Sequence, residues 1–140
     1  MSDSNVQIYE RILDAFNREG VGGSMRYFDD DAEVYDPDVP GGPYRGRDAV
    51  AGFLSQLIEG ADRVEVKAAR LLPAGDRVVG LLRSHWRRGE ADPQMELTDA
   101  HTLTFRDGKV VYWRAYLDPK EALSDAGLDP DLLEEVRRST

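Results

Sequence analysis

Three acid/base side chains stand where their surroundings would make them reactive. In the stretch 98–119, TDAHTLTFRDGKVVYWRAYLDP, Asp99 and His101 interrupt a side that Met95, Leu97, Leu103 and Phe105 otherwise make apolar. Trp113 falls on the apolar side of the run that follows. A carboxylate and an imidazole walled in by apolar groups can hold and pass a proton. The third group is Asp36, in Tyr35-Asp36-Pro37. The residue before proline is pushed to extended geometry, so Asp36 ends a strand where the Pro/Gly-rich run 36–46 begins. From there its carboxylate can reach the mouth of a pocket. The plainer readings make Asp36 a turn opener and His101 a core histidine satisfied by a neighbour such as Asp99.

Positioning these groups takes two long strands joined near Asp107-Gly108. Period-two alternation marks each as a strand with one buried face. A two-residue loop at Asp107-Gly108 pairs Leu103 with Tyr112 and brings Arg114 to the core side. A three-residue loop, 106–108, with Gly108 in the left-handed region, pairs Leu103 with Val111 and His101 with Trp113. The second register buries the more apolar set and is the one expected. It puts Asp99, His101 and Trp113 inside, with Trp113 a pocket wall, and leaves Tyr112, Arg114 and Tyr116 on an outer face suited to self-association.

Ahead of these strands the pattern is helical. Ser4 to Gln7 has capping-box spacing, and Tyr9, Ile12, Leu13 and Phe16 recur at helical intervals up to Gly20. A short second helix is expected from Ser24 through Tyr27 and Phe28, then a strand over 32–35. A third helix carries Val50, Phe53, Leu54 and Leu57. Strands follow over 63–72 and 77–88, with a loop over 88–93. On the second of these, alternation would bury Val78, Gly80, Leu82, Ser84 and Trp86. Asp118 and Pro119 open a helix that reaches Gly127, and a helical tail, 128–140, carries Leu132, Leu133 and Val136. Helices first and antiparallel strands after make an α+β domain spanning 1–140, with its core over about 5–127.

The chain has 140 residues, a formal net charge of −9 and no cysteine. That excludes disulfide frameworks and thiolate chemistry and argues against nucleic acid, whose phosphates need a basic footprint. It argues equally against an anionic membrane surface. No apolar run approaches a membrane span, and MSDSNVQIYE carries no basic-then-apolar leader, so a cytoplasmic protein is expected. Neither histidine shows the local ligand spacing of a known metal site, so no metal or other cofactor is expected.

The order of elements, DDDAEVYDP after two helices, and FRDGKVVYWRAYLDPKEAL near the end resemble the SnoaL-like branch of the nuclear transport factor 2-like superfamily. The resemblance implies a cone-shaped curved antiparallel sheet wrapped around N-terminal helices, with a pocket at its wide end and dimerisation through the outer sheet face. In ketosteroid isomerases a general-base Asp follows the first strand in an Asp-Pro context, which Asp36 matches. Their oxyanion-hole positions fall near Ile12 and His101, with Tyr9 one turn earlier. Limonene-type epoxide hydrolases carry two carboxylates that are replaced here, within Arg83-Ser84-His85 and Trp113-Arg114-Ala115-Tyr116. The resemblance also implies that Arg83 and His85 point inward, against the alternation, and that orientation is the one expected. Arg83 could equally pair with Asp99 as a buried strut.

The combined expectation is a pocket for a hydrophobic small molecule bearing a carbonyl or a ring. Asp36 and His101 are the catalytic candidates, Asp36 to remove a proton beside a carbonyl that His101, donating a hydrogen bond, polarises; Tyr9, Arg83, His85, Asp99 and Trp113 are the binding ones. The chemistry is acid/base isomerisation or cyclisation without a metal. The alternatives are a ligand-binding module without turnover and a homodimeric interaction module.

Overall fold

The computed structural model describes residues 2–37, 39, 41–61, 63–87 and 95–138, with the side chains of 2–4 and 95–97 outside the description. The loop expected over 88–93 and the Met95 and Leu97 side chains therefore lie outside it. Eleven elements follow in order: α1 Ser2–Glu19, α2 Val21–Met25, β1 Phe28–Tyr35, β2 Tyr44–Arg45, α3 Arg47–Leu57, β3 Arg63–Ala74, β4 Arg77–Arg87, β5 Met95–Arg106, β6 Lys109–Tyr116, α4 Pro119–Asp125 and α5 Leu132–Arg138. The strands form one sheet in the order β2-β1-β6-β5-β4-β3. All neighbours are antiparallel except β1 and β6. This is the expected α+β fold, a curved six-stranded sheet with N-terminal helices. No helix among the described residues is long and apolar enough to cross a membrane.

Several local boundaries differ from the sequence pattern. Helix α1 begins at Ser2, two residues before the expected cap. Helix α2 ends at Met25, and Phe28 opens β1 instead of closing a helix. Within the Pro/Gly-rich run, Tyr44 and Arg45 pair with Val34 and Glu33 as β2, and the Tyr44 ring packs on Phe53 at 5.3 Å. At α4, Asp118 caps as its spacing foretold, accepting from the Lys120 backbone N–H at 3.0 Å.

The turn between β5 and β6 corrects the expected register. Asp107 and Gly108 both have positive φ, 52° and 78°, as a two-residue hairpin turn of the primed kind requires. Arg106 pairs with Lys109 and Phe105 with Val110, but Thr104 then pairs with Tyr112 and Leu103 with Trp113. The extra residue is thus a bulge in β6 at Val111, not part of the loop. The bulge restores the parity that a two-residue loop alone would lose: Trp113 faces the interior and Arg114 does not. His101 consequently pairs with Ala115, and Trp113 is its diagonal neighbour.

Both faces of the sheet are covered. One core joins Tyr9 and Ile12 of α1, Val50 and Phe53 of α3, and Phe28, Val34, Val78, Leu82, Leu103 and Trp113 of the sheet. On the opposite face Val79, Leu81, Ala100 and Tyr116 pack with Ala122 and Leu123 of α4 and Leu133 and Val136 of α5. Leu128, Leu132, Leu133 and Val136, in the expected tail, are therefore part of a second core.

Candidate functional site

Alternation on β5 sends Asp99, His101 and Leu103 to the side that α1 and α3 cover. Their neighbours on β4 are Leu82, Gly80 and Val78. Gly80 has no side chain, and Tyr9 occupies that space: its hydroxyl donates to the His101 carbonyl at 2.7 Å. Tyr9 is 2% exposed. Burial, with the Asp99 charge adding to it, pushes its phenol well above the ordinary value, so it stays an O–H donor. The residue pinned by this bond is the one whose imidazole faces the interior.

The imidazole is held at both nitrogens. Trp113 Nε1–H donates to His101 Nδ1 at 2.8 Å, and His101 Nε2 lies 3.1 Å from Asp99 Oδ2. An indole nitrogen can only donate, so Nδ1 must accept. The hydrogen-bond network thereby assigns His101 the neutral Nε2–H tautomer, with that proton given to Asp99. Trp113 is fixed in turn by edge-to-face contacts with Phe53 at 5.5 Å and Phe28 at 6.2 Å. The side chains of His101 and Asp99 are 17% and 31% exposed, so the carboxylate is the more accessible end of the chain.

Beside this chain lies an apolar cavity of about 100 Å³. Tyr9, Ile12, Leu13 and Phe16 of α1 line it, with Ser24, Phe28, Leu54, Val66, Leu82, His101, Leu103 and Trp113. That is two-thirds of the ~150 Å³ that holds benzene in an engineered apolar cavity. The polar groups on its wall are already bonded within the protein: Tyr9 to the His101 carbonyl, Ser24 Oγ to the Val21 carbonyl at 2.8 Å, and His101 and Trp113 to each other. Among the described residues no three histidine, aspartate or glutamate side chains converge as a cation site would require.

Of the residues singled out in the sequence, Tyr9, His101 and Trp113 line the cavity and Asp99 bonds to its wall. Asp36 does not line it. Asp36 lies one position past the Tyr35–Arg114 pair that ends the β1–β6 register. Its carbonyl accepts from the Val39 N–H at 3.1 Å, in the turn by which the chain leaves the strand.

Arg83 and His85 face away from the cavity, a correction to their expected inward orientation. The alternation of β4 is unbroken: Leu82 and Ser84 take the inner side, and Arg83 reaches the Val136 carbonyl of α5 at 3.3 Å. Arg83 is therefore no strut to Asp99. The expected outer strip is also corrected. Tyr116 is buried beneath α4, bonded to Asp125 at 2.8 Å, and the Arg114 guanidinium carbon lies 4.9 Å from the Tyr35 ring and 4.8 Å from the Tyr116 ring. Phe16, Leu54 and Val66 were legible only as periodic core positions; nothing in local sequence separates a core residue from a cavity wall.

The family described as the SnoaL-like domain matches residues 9–113. A search of curated proteins finds no match to the sequence. Among solved structures, an NTF2-like protein from Burkholderia pseudomallei superposes with a TM-score of 0.71 at 21% identity, over 86% of this chain and 95% of that one. TerC, co-crystallised with polyporic acid, gives 0.70 at 20%, over 88% and 97%. A Mycobacterium tuberculosis protein in complex with estradiol-17beta-hemisuccinate gives 0.67 at 17%, over 82% and 94%. At these identities the likeness is one of fold.

Proposed function

This chain belongs to the SnoaL-like domain family, and from that premise we propose that it is a small-molecule pocket protein performing acid/base isomerisation or cyclisation on an apolar carbonyl or ring compound. The observation that carries the reading is the chain from Trp113 through His101 to Asp99 at the wall of an apolar cavity. Two structural neighbours are described with polyporic acid and estradiol-17beta-hemisuccinate, which agrees with a small-molecule role.

The geometry favours a different division of labour from the one expected. The Nε2–H of His101 is donated to Asp99, so it is not free to polarise a ligand carbonyl; neither Asp36 nor Asp99 lines the cavity, but Asp99 is bonded to its wall through His101. Asp99 is then the proton acceptor. Its carboxylate takes a proton from the carbon beside the ligand carbonyl, and His101 steadies one oxygen while the other works. Returning the proton to a different carbon completes an isomerisation, and the side chains alone balance the step. Asp36, one residue past the end of β1, is the second carboxylate candidate.

Wild-type protein should accelerate deuterium exchange of acidic protons in a panel of cyclic ketones, followed by NMR. Asp99→Asn should lose ~10²–10⁴-fold of that rate and keep ligand binding, while Asp36→Asn should lose less. Equal exchange by wild type and Asp99→Asn would remove Asp99 from the role. The second reading, a binding module without turnover, is favoured by the internal satisfaction of every polar group on the cavity wall. Saturable ketone binding with no exchange would leave it standing.

A further inference from the structure

Arg114 sits on the outer side of β6, with the Tyr35 ring 4.9 Å and the Tyr116 ring 4.8 Å from its guanidinium carbon. Two aromatic rings therefore stand within cation–π range of it. Its planar edge of N–H donors is the part that matches a carboxylate in a two-pronged fashion. Its Nε is buried without a hydrogen-bond partner, and so is Oγ1 of Thr102, which stands directly opposite it on β5. Two orphaned polar atoms on paired residues are unusual in a native fold, where most such atoms find partners.

Two acids of the region are engaged elsewhere. Asp125 accepts the Tyr116 hydroxyl, and Asp118 caps α4. Glu121 is exposed at the rim and makes no ion pair with Arg114 among the described residues. Arginines that do pair with carboxylates, Arg18 and Arg47 among them, keep at least 41% of their side chains exposed. Among the described residues the partly buried Arg114 has no carboxylate partner.

A groove of about 320 Å³ opens on Arg114, lined also by Pro37, Ala115, Tyr116, Leu117 and the two acids Asp118 and Glu121. Leu117 is 77% exposed, an unusual position for a large apolar side chain beside a stacked cation. We infer that this groove binds a small organic acid, its carboxylate on the edge of Arg114 and its apolar body over Leu117 and Pro37. The groove shares no lining residue with the apolar cavity and does not depend on the function proposed for that cavity.

Benzoate is the probe, with benzyl alcohol as the uncharged control of the same shape. In the full-length protein, benzoate should move the Arg114 Nε–H resonance and the Leu117 methyl resonances along saturable curves, and benzyl alcohol should not. Arg114→Lys keeps the charge but lacks the fork and should weaken binding at least tenfold. Should that variant fail to fold, Leu117→Asp, at an exposed position, puts a like charge on the ligand's path and should weaken binding similarly. An absent or non-saturating response overturns the inference, as does an equal response to the alcohol or an unchanged affinity in a folded variant. Concentration-dependent dimerisation that Arg114→Lys abolishes, without a benzoate response, would give the carboxylate to a second copy of the chain and also overturn it.

Discussion

Gly80→Ala tests the contact that holds the candidate site together. A Cβ at Gly80 would overlap the Tyr9 hydroxyl and stand 2.6 Å from its ring carbon Cζ. Tyr9 is 2% exposed and closely packed, so the ring can yield only by giving up its 2.7 Å bond to the His101 carbonyl. A buried hydroxyl left unbonded costs ~1–3 kcal/mol, and forcing a methyl into a filled space costs ~1–3 kcal/mol more. The expected loss is roughly 2–6 kcal/mol, a large share of the ~5–15 kcal/mol that holds a domain folded. Urea unfolding of Gly80→Ala, Tyr9→Phe and the double variant measures it. Without the hydroxyl, Gly80→Ala still meets Cζ but has no hydrogen bond left to break. The double variant should therefore be more stable than the sum of the singles by ~1 kcal/mol or more. Additivity within ~0.5 kcal/mol, or a Gly80→Ala cost below ~1 kcal/mol, would refute the reasoning.

Two further predictions concern the outer face. Burial raises the Tyr116 phenol from its ordinary value of 10.0 to about 12, helped by the hydrogen bond to Asp125 and by that carboxylate's charge. The folded protein then keeps a proton that the unfolded chain has released, so this contribution is whole below pH 10 and is lost between about pH 10 and 12. Tyr116→Phe should flatten that part of the alkaline stability profile; an unchanged slope would contradict the assignment. Leu133→Ala, at a position 1% exposed between α5 and the sheet, should cost ~2–5 kcal/mol in urea unfolding, and a cost below ~0.5 kcal/mol would make the C-terminal helix dispensable.

Much of the fold was legible because its signals are local. Alternation placed Asp99 and His101 on one side of β5, the Asp107-Gly108 pair marked the turn, and Asp118-Pro119 marked a helix start. These depend on neighbours a few residues away, which the chain itself displays. The register of β6 was not legible, because a glycine with positive φ suits a two-residue turn and a bulged loop alike. Only the packing of Trp113 against Phe28 and Phe53 decides that the extra residue goes into the strand.

Alternation by itself also sorted β4 into Leu82 and Ser84 on one side and Arg83 and His85 on the other. The inward orientation drawn from resemblance failed there because strand parity is a covalent property of the segment. What covers each side is different in kind. Whether Tyr116 is a surface aromatic or a core residue depends on helices that return from residues 119–138, and whether His101 can donate depends on an indole twelve positions away. Sequence determined which side chains share a face; the tertiary structure decided what that face meets, because burial and hydrogen-bond partnership are set by chain segments distant in sequence.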